Sequence, residues 1–84
     1  MALPSELNHE KLAEAAIALL SLTAANDHGA VRVWKGLDWD LMNLLHEKGW
    51  ISNPVSSAKS VIMTDEGVRR ADDVLARDFR KQSF

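Results

Sequence analysis

Cysteine is absent from this chain of 84 residues, which excludes a disulfide framework and any zinc site built on thiolates. An excess of positive charge is also absent, because twelve acidic and ten basic residues give a formal net charge of −2. That balance argues against a chain whose affinity comes from collecting phosphates. Hydrophobic residues make up 46% of the chain and charged residues 26%, which excludes disorder by composition.

No hydrophobic run is long enough to cross a bilayer. The longest covers residues 12–25 and is interrupted by Glu14, Ser21 and Thr23. The N-terminus lacks the basic region of a secretion signal. We therefore expect a cytoplasmic protein with no membrane contact. The length allows a single domain over residues 1–84, with flexible tails at 1–7 and 82–84.

The hydrophobic pattern predicts three helices and a small β-sheet, in the order helix, strand, helix, hairpin, helix. Asn8, Asp38 and Thr64 can each accept the free amides at a helix start, and helical spacing of apolar residues follows each of them. The last helix is expected to run to about residue 81. The fold class is therefore mainly α with a small β-sheet. The predicted core consists of Ile17, Leu20, Leu41, Leu44, Leu45, Val61, Met63, Val68, Leu75 and Phe79.

Three segments have the pattern of strands. Residues 30–34 form one predicted strand, and residues 50–51 are expected to pair with 59–63 as a hairpin. Residues 26–29 are expected to be a turn. On the last helix three arginines each follow an acid at i,i+4 and should be compensated there, in the pairs Asp65 with Arg69, Glu66 with Arg70, and Asp73 with Arg77.

The order of elements is similar to a winged-helix domain. Residues 44–51, a polar loop and residues 61–67 look like the end of a recognition helix, its wing and the entry to the last helix in regulators of the MarR type, with Met63 in place of a leucine. The resemblance implies a reduced winged helix, because only eight residues separate Gly29 from Asp38 and the scaffold helix of a helix-turn-helix does not fit there.

A closer resemblance covers roughly residues 8–80. The segments 34–40 (Trp-Lys-Gly-Leu-Asp-Trp-Asp), 45–49 (Leu-His-Glu-Lys-Gly) and 51–61 resemble a family of small bacterial proteins known only as a domain of unknown function. The tryptophans, glycines and charges at fixed spacing carry this likeness. The family brings no activity that could be transferred.

Aromatic and basic residues are interleaved between residues 32 and 39. Tryptophan and arginine are enriched in protein-contact hot spots. Aromatic stacking with cations also suits nucleic acid. Alternatively, a tryptophan covers the small core and a cation lies over its ring. With one lysine from the wing-like loop, the predicted interaction surface consists of Arg32, Trp34, Lys35, Trp39 and Lys59.

The first helix is apolar almost all round in its last three turns, which is wider than the stripe that a surface helix needs. A partner could cover the additional face. The alternative is that this helix is central to a three-helix core. A short chain gains most from shared burial, so we predict self-association. The predicted dimer face consists of Ala13, Ala16, Ile17 and Leu20.

The sequence offers little for catalysis. His9, His28 and His46 do not have the spacing of metal ligands. His46 and Glu47 point about 100° apart on a helix. The pair Ser56-Ser57 has no nearby base. We expect no enzymatic activity, no cofactor and no metal.

The predicted function is therefore a non-enzymatic protein-interaction module, which forms a homodimer and binds an unidentified protein partner. The alternative is a winged-helix, nucleic-acid-binding transcriptional regulator. It is disfavoured because the outward residues of the recognition-like helix carry a formal charge that sums to −1, which repels phosphates. Those residues are Asp40, Asn43, His46, Glu47 and Lys48.

Overall fold

The computed structural model of the protein describes residues 3–55 and 58–81. The predicted serine pair Ser56-Ser57 and the outer parts of both predicted tails, residues 1–2 and 82–84, lie outside the described residues. Within them the chain forms three helices and a three-stranded sheet, which confirms the mainly α class with a small β-sheet. In chain order the elements are α1 (His9–Ser21), β1 (Ala25–Asp27), β2 (Ala30–Trp34), α2 (Trp39–Glu47), β3 (Ser60–Met63) and α3 (Asp65–Asp78).

Each helix begins after the N-cap that the sequence predicts. The side chains of Asn8, Asp38 and Thr64 each accept a hydrogen bond from a backbone amide of the first turn, over 3.0 to 3.1 Å. The last helix ends at Asp78, earlier than predicted, because Phe79 leaves the helical conformation with φ −122° and ψ 3°. Phe79 is 52% exposed, so its prediction as a core residue is wrong.

The sheet has the strand order β1-β2-β3, and both strand pairs are antiparallel. Residues 26–27, predicted as part of a turn, belong to β1, and the turn consists of His28 and Gly29 alone. Both turn residues have positive φ, 52° and 86°. Two-residue turns of this kind match the right-handed twist of a hairpin, so the turn continues a strand pair where the sequence pattern predicted only a helix end.

The predicted hairpin of residues 50–51 with 59–63 is only partly right. β3 pairs along its length with β2, whereas Ile51 makes a single bridge to Met63. The Trp50 amide still closes the last turn of α2, because it donates to a helix carbonyl at 3.1 Å. The extended chain therefore begins only at Ile51, and two backbone hydrogen bonds flank its single bridge, from the Ser52 amide to the Ile62 carbonyl at 2.8 Å and from the Thr64 amide to the Trp50 carbonyl at 2.9 Å.

The core lies between α1, α2, α3 and the inner face of the sheet. Ile17, Leu20, Leu45, Val61 and Met63 are buried, which confirms their prediction as core residues. The predicted members that are only partly buried are Leu41, Leu44, Val68 and Leu75. The buried core residues outside the predicted set include Ala13, Ala16, Val33, Met42, Trp50, Ile51 and Ala71.

Between α1 and α2 the chain forms the β1-β2 hairpin, so the expected absence of a scaffold helix is confirmed for this part of the chain. The winged-helix resemblance itself stays a prediction. In the portion that the structure describes, no helix has both the length and the apolar character that a bilayer crossing requires.

Candidate interaction surface

One face of the sheet points away from the core and carries most of the predicted interaction surface. Side chains alternate between the faces of a strand, so the buried Val33 places its neighbours Arg32 and Trp34 on the outer face. The register sets Ser60 opposite Trp34 and Ile62 opposite Arg32. We call these four outward residues the sheet face. Trp34 is 60% exposed, so a large aromatic ring stands in solvent at the end of the sheet face where β2 ends.

Arg32 links the three strands across the sheet face. Its Nε lies 3.2 Å from the carboxylate of Asp27 in β1. Its Nη1 donates to the hydroxyl of Ser60 in β3 at 3.2 Å. The Arg32 side chain is 39% exposed, so it stays accessible while two contacts orient it. A partner that uses this guanidinium has less side-chain entropy to remove than it would with a free arginine.

Two lysines add positive charge beside Trp34. The Lys35 amide donates to the Lys59 carbonyl at 3.0 Å, which places the two residues side by side where β2 ends and β3 begins. The Lys35 ammonium donates to the Pro54 carbonyl at 2.9 Å. The Lys59 side chain is exposed. The structure therefore places Arg32 and Trp34 together on the sheet face, and it places Lys35 and Lys59 side by side at the adjoining strand ends.

Trp39, the fifth predicted residue, is in a different setting. It is the first residue of α2 and is 52% exposed. Its neighbours are the N-cap Asp38 and Asp40, so its surroundings in the chain are acidic, whereas those of Trp34 are basic. The chain turns from strand to helix between Trp34 and Trp39, so Trp39 lies on a different element from the rest of the predicted cluster, and its part in an interaction surface stays a prediction.

We expect ionic quenchers to distinguish the two exposed tryptophans. In a Trp39→Phe variant, iodide should quench the fluorescence of Trp34 roughly twofold more strongly than caesium does, because nearby cations concentrate the anion. In a Trp34→Phe variant the order should be reversed by the carboxylates beside Trp39. Trp50 is only 4% exposed and supplies a constant protected signal in both variants.

The measurement is a pair of Stern–Volmer titrations at constant ionic strength for each variant. A rise in background salt should reduce the difference between the ions, because it screens the local field. Equal quenching by iodide and caesium in both variants would contradict the assignment of a basic sheet face and an acidic helix start.

Two grooves flank Trp34. The larger, of about 560 Å³, extends over β1 to Asp27 and also includes Thr23 and Arg32. The smaller, of about 210 Å³, is lined by apolar residues of α1 and by Leu37. Thr23 and Trp34 line both grooves, so the grooves meet at these two residues. The sequence pattern gives no indication that Thr23 lies between two grooves.

The predicted dimer face is wrong. Its four residues are between 0% and 5% exposed and belong to the core, because α1 packs against α2, α3 and β2. The alternative, that the first helix is central to the core, is the one that the structure supports. The exposed apolar residues at the end of α1 are Leu19 and Leu22 instead. The four buried residues of the predicted dimer face are Ala13, Ala16, Ile17 and Leu20.

Two arginines of α3 pair with α1 and not with the acids one turn earlier. Glu14 is only 8% exposed. Its Oε1 lies 2.8 Å from Arg77 Nη2, and its Oε2 lies 3.4 Å from Arg70 Nη1. The predicted pairs of Glu66 with Arg70 and Asp73 with Arg77 are therefore corrected, because a buried carboxylate has more to gain from a cation than an exposed one has.

These contacts shift the proton equilibria of the groups involved. The hydrogen bond from Arg77 lowers the pKa of Glu14 below its usual value, against the opposing effect of desolvation. The pKa of Asp78 is lowered by the same guanidinium, which also bonds to it. The pKa of Arg77 is raised, first by Asp78 and then by Glu14. The charged groups between α1 and α3 thus compensate one another within the molecule.

The outward side of α2 carries the residues from which the sequence predicts repulsion of phosphates. His46 and Glu47 are exposed. The cation at the end of this helix, Lys48, forms a salt bridge with Glu10 of α1. The charge of Lys48 is therefore compensated within the molecule, and the repulsion of phosphates by this side of α2 stays a prediction.

The three histidines lie on separate elements. His9 Nε2 lies 2.8 Å from the Pro4 carbonyl, and His28 Nε2 lies 3.5 Å from Asp27. His46 is on α2. Across residues 3–55 and 58–81 no three side chains of the metal-binding types lie close enough together to hold an ion.

These features define a small α+β domain with an exposed aromatic and basic face on its sheet. The model of a domain of unknown function, DUF6429, matches residues 8–81, and the chain belongs to this family. An uncharacterized protein of Sinorhizobium fredii, y4hR, is 42% identical over 76 residues, which cover 90% of this chain and 99% of the relative. No solved structure matches the chain.

Proposed function

We propose that the chain is a non-enzymatic protein-interaction module, which binds a protein partner through the sheet face and also self-associates. The observation that carries the proposal is the 60% exposure of Trp34 beside the oriented guanidinium of Arg32. Tryptophan and arginine are the side chains most enriched at the energetic centres of protein interfaces. Covering the Trp34 ring would remove a large apolar area from water, which favours association.

The lining of the larger groove supports a binding role over a catalytic one. Its hydroxyl groups, on Thr23 and Ser60, are hydrogen-bonded to a backbone carbonyl and to Arg32, and neither bond provides the base that a nucleophile needs. Arg32 and Asp27 in the same groove pair with each other. A groove of this composition recognises a ligand through shape, an apolar ring and one oriented cation.

Charge compensation supports a protein partner over a nucleic acid. Duplex binding depends on several cations that are free to neutralise phosphates. Lys48 is paired with Glu10, and Arg70 and Arg77 are paired with Glu14. The formal net charge of the whole chain is −2. The sheet face adds the cation Arg32, which lines the same groove as the Trp34 ring, and tryptophan and arginine are typical of a protein hot spot.

We expect the immobilised chain to retain partner proteins from a nuclease-treated lysate of its own cell type, and a Trp34→Ser variant to lose at least about nine-tenths of them. Trp34 is mostly exposed, so the substitution should leave the fold intact, which far-UV circular dichroism can verify. Quantitative mass spectrometry of the retained proteins is the measurement.

Trp39→Ser is the matched control, because Trp39 has a similar exposure but stands at the acidic start of α2. The control should retain the same proteins as the parent chain. Two results would contradict the proposal. One is equal retention by Trp34→Ser and the parent chain, and the other is retained material that disappears on nuclease treatment, which would favour the nucleic-acid regulator.

A further inference from the structure

The end of α1 and the residues that lead into β1 form a second exposed surface. Leu19 is 52% exposed and Leu22 is 68% exposed. Leu22 has the highest exposure of any large apolar side chain in the part of the chain that the structure describes. Residues 23–25 continue the exposed region into β1. We call Leu19, Leu22 and residues 23–25 the junction surface.

Three grooves open onto the junction surface. The groove of about 210 Å³ beside Trp34 includes Leu19, and the groove of about 560 Å³ includes Thr23. A third, of about 290 Å³, is lined by residues of the end of α1, β2, β3 and α3, among them Leu22, Asp72 and Leu75. Leu22 is thus a protruding apolar side chain next to concave surfaces. Such a surface is complementary to a second copy of itself.

The junction surface is uncharged. Residues 15–26 form a run without a charged side chain between Glu14 and Asp27. In a two-fold contact, residues near the axis face their own copies, so charges of one sign would meet and repel. A neutral surface avoids this repulsion. The sheet face has the cation Arg32 beside Trp34 and is suited to a different partner.

We propose that the junction surface is a homodimer interface in which Leu22 of each copy lies close to the two-fold axis and packs into a groove of the other copy. The inference names one partner for the module and therefore rests on the proposed function. It also moves the dimer contact from the buried side of α1, predicted from the sequence, to the exposed end of the same helix.

The junction surface supplies part of the area that a dimer needs. The exposed parts of Leu19 and Leu22 amount to roughly 200 Å² of apolar surface, about a quarter of the 800 Å² that each partner buries in a standard interface. The groove walls around residues 23–25 supply further surface. A chain of this size buries only about 60 to 65% of its unfolded surface by itself, so it gains in stability from a shared interface.

Sedimentation velocity between low and high micromolar concentration tests the proposal. The parent chain should shift from the 9.3 kDa monomer towards twice that mass. A Leu22→Glu variant should dimerise about a hundredfold more weakly, because each dimer would bury two carboxylates. Leu7→Glu is the control. Leu7 is 47% exposed and lies beyond the opposite end of α1, so this variant should dimerise like the parent chain.

The absence of cysteine allows a second measurement. A Leu22→Cys variant keeps an apolar side chain at the contact and introduces the single thiol of the chain. Two copies related by the proposed axis bring these thiols within reach of a disulfide, which requires Cα atoms less than about 7 Å apart. Under mild oxidation the variant should form a covalent dimer at least about tenfold faster than Leu7→Cys does.

The outcomes separate this inference from the proposed function. A parent chain that stays monomeric at high micromolar concentration, or equal oxidation rates for the two cysteine variants, would overturn the homodimer interface. If retention of other proteins still depends on Trp34, the interaction module survives without the dimer. If both the self-association and the Trp34-dependent retention are absent, the proposed function fails as well.

Discussion

A Gly67→Ala variant is expected to lose at least about 3 kcal/mol of unfolding free energy, although alanine is the better helix former. A Cβ at this position would lie 2.1 Å from the carbonyl oxygen of Trp50, 2.9 Å from its carbonyl carbon and 3.0 Å from its Cα. All three atoms belong to the backbone, so no side-chain rotation can relieve the clash. Helix propensity alone predicts a gain of about 1 kcal/mol, so the sign of the effect is diagnostic.

In the Gly67→Ala variant the clash would push α3 away from the segment after α2. The Thr64 amide donates to the Trp50 carbonyl at 2.9 Å, and the Thr64 hydroxyl donates to the Gly49 carbonyl at 2.6 Å. Both bonds hold the start of α3 against the segment that a methyl group at Gly67 would push away. A domain of this length has a total stability of about 4 to 12 kcal/mol, so the expected loss is a large fraction of it.

Urea unfolding followed by the fluorescence of the buried Trp50 and by circular dichroism checks this prediction. Gly36→Ala is the matched control, because a Cβ at Gly36 would meet a Trp34 side-chain atom at 3.8 Å, an ordinary contact. The control should change the unfolding free energy by no more than about 0.5 kcal/mol. A Gly67→Ala variant as stable as the parent chain would show that α3 and residues 49–51 are not packed this closely.

The second large effect is expected for a Glu14→Gln variant, which should unfold about 2 kcal/mol more easily at pH 7. Glutamine has nearly the shape of glutamate but lacks the negative charge of the ionised carboxylate, so Arg70 and Arg77 lose their shared anion. The Arg70 side chain is 45% exposed and that of Arg77 is 49% exposed, so water hydrates both in the variant. The loss is therefore smaller than for a fully buried ion pair.

The same contact makes stability depend on pH. The pKa of Glu14 is lower in the folded chain than its ordinary value of 4.5, chiefly because Arg77 donates a hydrogen bond to it. Its contribution is therefore complete above pH 4.5 and is lost as the pH falls through the lower folded-state pKa. The difference in stability between the parent chain and Glu14→Gln should be constant from pH 7 to about pH 5 and should shrink in more acidic solution.

Urea titrations at a series of pH values between 7 and 3 provide the measurement. Asp78→Asn is the control. It removes the other carboxylate bound to Arg77, but from an exposed position, and should leave the urea midpoint at pH 7 close to that of the parent chain. A Glu14→Gln difference that persists unchanged to pH 3 would contradict a charge-based role for Glu14.

The helices were predictable because their signals are local. An N-cap such as Asn8 or Thr64 needs only a side-chain oxygen and the amides of the next turn, all within a few residues of sequence. The β1-β2 hairpin was not predicted, because a three-residue strand is too short to show alternation and its turn, His28-Gly29, differs from the Asn-Gly type that marks such hairpins.

The candidate surface was predictable in its residue types but not in its arrangement. The interleaving of Trp34 with Arg32 and Lys35 is visible in the sequence, and strand alternation puts Arg32 and Trp34 on one face. The pairing of β2 with β3, which brings Lys59 to Trp34, depends on contacts between distant segments. The position of Trp39 depends on the turn that starts α2.

By itself the sequence determined the number and caps of the helices, the mainly α class, and the presence of tryptophan and arginine in one short segment, because these properties follow from neighbours along the chain. Only the tertiary structure decided which side of α1 is buried, because that side is set by α2, α3 and β2 together. It likewise decided that Glu14 forms salt bridges with Arg70 and Arg77 of α3. A buried carboxylate requires a cation, and which cation lies near it depends on how the helices pack.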